Sequence, residues 1–117
     1  MVTPKENKIL RLESPQKVTI EFSNLNVDHP DAEHKSRTLS VKITYRSKYS
    51  YAAGEFRKYL LKNYNLHQEI LTQRCLNWWI PRVKPQYLKV TIVGQYKTDP
   101  PSTIITEAEY EGGSEEE

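Results

Sequence analysis

Cysteine is nearly absent: one, Cys75, in 117 residues. That excludes an internal disulfide and any cysteine-based zinc cage, and it points to a reducing, cytoplasmic compartment. Glycine is scarce too, with four residues, and none falls in a phosphate-cradling loop. No apolar run approaches the ~18 residues of a membrane span. Met1-Val2-Thr3-Pro4-Lys5 lacks the apolar stretch of a signal peptide, so no membrane partner is expected. No Ser-His-Asp grouping and no carboxylate pair stands in a defined motif. Basic residues, finally, are missing from the end of the chain. All 17 Lys and Arg precede residue 98, whereas six of the 15 acids follow residue 104, so residues 1–104 carry 17 − 9 = +8 and the rest carries −6.

This length allows one domain with one core. Residues 1–6 are expected to be flexible, 7–110 to fold as a unit, and the acidic stretch 111–117 to be disordered. Val18, Ile20 and Phe22 alternate with polar residues, as do Leu39, Val41, Ile43 and Tyr45, which predicts two half-buried strands. Leu10 to Leu12 is a candidate short strand in front. Residues 51–64 and 66–80 carry apolar positions at helical spacing, with Asn65 the expected N-cap of the second helix and Pro81 its expected end. Leu88, Val90 and Ile92 then alternate, running through Gly94 to Tyr96. After the turn Asp99-Pro100-Pro101-Ser102, a last strand places Ile104, Thr106, Ala108 and Tyr110 on one face. The order strand, strand, helix, helix, strand, strand predicts an α+β layer, two helices on one face of a four-stranded antiparallel sheet. Two open edges are a liability, and several copies joining edge to edge would close a barrel, so a homo-oligomer is expected.

Three groups of residues carry candidate chemistry. His29, Asp31 and His34 in the polar stretch 24–34 have ligand chemistry, but their spacing matches no zinc motif and an exposed loop accounts for them as well. No metal is expected. Leu66-His67-Gln68-Glu69 opens the second helix, where free N–H groups and the dipole favour polar ligands. There His67 could relay a proton, or it could simply decorate the first turn with Glu69. Cys75 shares the apolar stripe of Leu71 and of Trp78 or Trp79 and reads as a buried structural thiol. Arg46-Ser47-Lys48 and Arg82-Val83-Lys84, interleaved with Tyr45, Tyr49, Tyr51 and Tyr87, are either a solvated basic face or a surface for nucleic acid.

Several segments, in order, resemble the nitrile reductase (QueF) family and its shorter archaeal QueF-like amidinotransferase relatives. Glu21-Phe22-Ser23-Asn24-Leu25-Asn26 is similar to Glu-Phe-Thr-Ser-Leu-Cys in that family, and His29-Pro30-Asp31 to Gln-Pro-Asp. Leu66-His67-Gln68-Glu69 is similar to Phe-His-Glu-Asp, and Lys84-Pro85-Gln86-Tyr87-Leu88-Lys89-Val90 to Asp-Pro-Arg-Tyr-Ile-Glu-Val. The resemblance spans roughly residues 17–110. It implies the tunnelling fold, whose ββααββ units assemble into an oligomeric β-barrel. It also implies a site for 7-cyano-7-deazaguanine (preQ0) or a related purine or pterin-like ring, in the metabolism of the tRNA bases queuosine and archaeosine.

The departures from the family are chemical. Its nucleophilic cysteine, which forms a thioimide with the nitrile, is matched by Asn26, whose amide is no nucleophile. Asp31 and His67 match the family's acid and histidine. Gln68 stands for the glutamate that reads the purine-like edge, with Glu69 beside it as a second substrate-binding candidate. The NADPH-binding Glu-Ser-Lys-Ser segment has no recognisable counterpart: a gapless match gives Tyr49-Ser50-Tyr51-Ala52, and Glu55-Phe56-Arg57-Lys58 needs a deletion. No cofactor is expected, and whether the chain is an enzyme stays open. The alternative is a non-catalytic oligomeric binding module that engages tRNA through its basic body.

Overall fold

The computed structural model of the chain describes residues 9–27 and 37–112. They form β1 (Ile9–Val27), β2 (Arg37–Tyr51), α1 (Ala53–Asn63), α2 (Gln68–Val83), β3 (Tyr87–Tyr96) and β4 (Ser102–Glu111). The four strands make one antiparallel sheet in the order β1-β2-β3-β4. Both helices cover one face, as the alternation of residue types predicts. On β2 the residues Leu39, Val41, Ile43 and Tyr45 are buried, and on β3 so are Leu88, Val90 and Ile92. The intervening Lys42, Arg46, Lys89 and Thr91 lie on the opposite face, where Lys89 pairs with Glu107 at 3.3 Å and Glu109 at 3.8 Å. Hydrogen bonding to Glu107 raises the Lys89 pKa.

The core is closed by aromatic side chains of the helices. Trp79 is fully buried and packs on Tyr45 and Phe56, with ring centroids 5.5 and 5.2 Å away. Each such side chain stabilises the fold by about 1.5–3 kcal/mol. Cys75 is fully buried in the same layer, and burial pushes its pKa up to about 12.

The elements differ from expectation at their ends. Leu10 to Leu12 belong to β1, whose pairing with β2 shifts register between Arg11 and Gln16 and again between Phe22 and Leu25. Asn24, in the second irregularity, has φ 59° and donates its N–H to Ser40 Oγ at 3.4 Å. Tyr51 closes β2 instead of opening a helix. His67, not Asn65, occupies the N-cap of α2. Pro81 lies inside α2, which runs on to Val83; in this last turn Arg82 Nη1 donates to Trp78 O at 2.6 Å, Lys84 N–H to Ile80 O at 2.9 Å, and Ser47 Oγ to Val83 O. At the other end, Glu111 completes β4 and Gly112, just past the strand, donates to Gln86 O at 3.0 Å, so one residue of the stretch expected to be disordered belongs to the sheet. Residues 1–8 and 113–117 lie outside the described residues.

Lys84 caps α2 with φ 45° and ψ 61°, a left-handed conformation that favours glycine. Its Nζ also sits 5.8 Å from the Tyr49 ring, a cation–π attraction that truncation removes. Lys84→Gly is expected to stabilise the fold by about 0.5 kcal/mol net, read as a higher urea midpoint at unchanged slope.

Candidate functional site

The candidate site is built where the first turn of α2 meets the β3–β4 hairpin. A hollow of about 250 Å³ opens there, lined by His67, Gln68, Glu69, Tyr96, Thr98, Ser102 and Ile104. Three of the residues singled out from sequence therefore share one wall. His67 and Glu69 are exposed, whereas Gln68 is 3% exposed.

Gln68 reaches down to the sheet. Its Nε2 donates to Ile92 O at 3.0 Å and Ile104 O at 2.9 Å, with Thr106 Oγ1 at 3.2 Å, while Oε1 accepts the Tyr96 hydroxyl at 2.5 Å. An amide has two N–H donors, so both are committed to the protein, and the two carbonyls fix which end is nitrogen. Thr72 Oγ1 extends the cluster, donating to Gln68 O at 2.8 Å and lying 2.7 Å from Thr106 Oγ1. Gly94 makes the arrangement possible: a Cβ there would overlap Gln68 Oε1 and come within 2.8 Å of Tyr96 Cε1.

Arg37 completes this polar group from below. It is 1% exposed, donates from Nη2 to Tyr64 O at 2.8 Å and Leu66 O at 2.6 Å, and places Nη1 3.5 Å from the Tyr96 hydroxyl. Sequence reasoning missed Arg37, Tyr96 and Gly94. Signals were present: Arg37 shares the inward parity of Leu39, Val41, Ile43 and Tyr45, and a glycine inside an alternating strand marks a close approach.

Asn26 lies elsewhere in the chain. Its Oδ1 accepts from Thr38 Oγ1 at 2.9 Å on the face turned away from the helices. Asn26, Thr38, Gln95 and Thr103 form one transverse row, so β1 and β4 stand three strand spacings apart, about 14 Å. A single chain therefore does not bring Asn26 to the hollow. Asp31, His29 and His34 lie outside the described residues, and among the described residues no group of three or more His, Cys, Asp or Glu could hold a metal. Among the described residues, too, no helix is long and apolar enough to cross a membrane.

The basic segments flagged from sequence do converge. Ser47 Oγ donates to Val83 O, joining the two stretches, and the Arg82 guanidinium stacks 4.0 Å from the Trp78 ring and 5.8 Å from that of Tyr51.

The ββααββ order and the helix pair on one face of the antiparallel sheet define a tunnelling-fold chain. A solved structure with the same arrangement is that of the archaeosine synthase QueF-Like in its apo form. It superposes with a TM-score of 0.59 at 20% identity, covering 87% of this chain and 97% of that one. No protein-family model and no curated protein matches the sequence.

Proposed function

We propose that the chain is a QueF-like protein of tRNA modified-base metabolism that binds a 7-cyano-7-deazaguanine-like, purine or pterin-like ring in the hollow at the start of α2. The observation that carries this reading is the position of the hollow. It is walled by His67, Gln68 and Glu69, the segment similar to the family's substrate-reading helix start. With the Gln68 donors committed to the sheet, the Glu69 carboxylate is the acceptor we assign to the ring's N–H edge.

The thioimide route does not suit this chain. Asn26 supplies no nucleophile, and Cys75 is fully buried with its pKa pushed up to about 12. Of the gapped candidate for a dinucleotide segment, Phe56 is core, and Lys58 pairs with Glu55 at 3.4 Å at the surface. What remains is ring binding, or a noncovalent reaction with His67 and Glu69 as acid and base.

A homo-oligomer joined edge to edge is part of this reading. Ile104 and Ile105 on the β4 edge are 42% and 60% exposed, which suits a neighbouring strand. A second copy's β1, added antiparallel to β4 in the same rows, would set its Asn26 beside Thr103, on the sheet face turned away from the helices. The basic outer surface, with Arg82 and Lys84, is then the part we assign to tRNA.

Calorimetry tests the reading. Titrating the intact protein with 7-cyano-7-deazaguanine should give saturable heat, and Glu69→Ala should weaken binding about tenfold, the loss of one charged hydrogen bond. Absence of heat at millimolar ligand, for the free base and for tRNA bearing it, would remove the proposal.

A further inference from the structure

Arg37 is the one charged residue among the described residues that is fully buried, and it stands apart from the apolar positions that share its strand face. Burying a guanidinium is costly unless its hydrogen bonds are made. Here Nη2 bridges Tyr64 O and Leu66 O, the carbonyls of the turn that delivers His67 and Gln68 to the hollow. Nη1 faces the Tyr96 hydroxyl, which donates in turn to Gln68 Oε1. Nε has no partner. Arg37 and Tyr96 are also direct cross-strand partners, so the backbone holds the two side chains at one level of the sheet.

We propose that Arg37 is the positioning residue of the hollow, acting through Tyr96 and the 64–66 turn to hold Gln68 and the first turn of α2 in one arrangement. The planar fork is the reason for arginine. One nitrogen meets two carbonyls while another approaches a phenol, and a lysine ammonium on its flexible stem does not reproduce that spread. Tyr96 is the link that touches both sides. Its ring lies against Gly94, and it lines the hollow that Glu69 and His67 share. The guanidinium favours a hydroxyl oxygen turned toward it, which directs the hydroxyl proton to Gln68 and so orients the amide against Ile92 O and Ile104 O. The inference rests on the reading that this hollow is the ligand site, and its test separates the two.

The experiment compares wild type, Arg37→Lys, Tyr96→Phe and the double variant. Solvent exchange of the Gln68 side-chain amide is followed by NMR, and binding of 7-cyano-7-deazaguanine by calorimetry. Each single variant should speed Gln68 amide exchange and weaken binding about tenfold, a usual size for loss of a supporting partner. The double variant should be no worse than the weaker single, because both act along one path. Additive losses, or unchanged Gln68 exchange in Arg37→Lys, would overturn the proposal. Should Arg37→Lys fail to fold, Tyr96→Phe removes only one hydroxyl and decides by itself: unchanged exchange rejects the relay. If wild type binds no ligand, the ring-binding reading fails, while the exchange cycle still accepts or rejects Arg37.

Discussion

Gln68→Glu is expected to destabilise the fold by about 3 kcal/mol at pH 7, lowering the melting temperature by about 10 °C. The change is isosteric and restores the residue type of the family resemblance, yet it sets an oxygen where an NH₂ group now meets Ile92 O and Ile104 O. Two donated hydrogen bonds become two repulsions inside a buried site, and a carboxylate there is desolvated as well. The pH dependence follows from the sign. Burial beside carbonyls raises the folded-state pKa of the introduced acid above its unfolded value of about 4.3. The penalty is therefore smallest below that pH, where the protonated acid can donate one of the missing bonds. It grows as pH rises and the unfolded state ionises first. Thermal unfolding at pH 4 and pH 7 checks both statements, and a variant as stable as wild type at pH 7 would contradict the Gln68 geometry.

Gly94→Ala should cost a similar amount, about 3 kcal/mol, at a strand position where alanine ordinarily gains about 0.5 kcal/mol over glycine. The new Cβ would overlap Gln68 Oε1 and crowd Tyr96 Cε1, so the amide must leave its partners. Removing the obstacle gives a specific check. In Gly94→Ala combined with Gln68→Ala, the loss should be well below the sum of the two singles, because the collision disappears with the side chain. Simple additivity in chemical denaturation would show that some other neighbour sets the cost.

Both predictions concern residues whose meaning changed between sequence and structure. Gln68 reads from sequence as a ligand-binding residue. In the structure its amide also ties α2 to β3 and β4. The alternations on β2 and β3 were legible because period-two burial is imposed by the pleat itself, and the helix pair because apolar spacing marks its inner face. The helix ends were not legible. Asn65 gave way at the N-cap to His67 where the turn carbonyls are held by Arg37, which is far away in sequence. Pro81 did not end α2, which is closed two residues later by Lys84 N–H on Ile80 O and by Ser47 Oγ on Val83 O.

The sequence by itself determined the layer order and the inward faces, because these depend on residue type and local period. Only the tertiary structure decided which polar groups face ligand and which face protein. Hydrogen-bond partners 24 to 59 residues apart, from Gln68 with Ile92 to Arg37 with Tyr96, are set by how strands and helices meet. No local pattern in the chain records them.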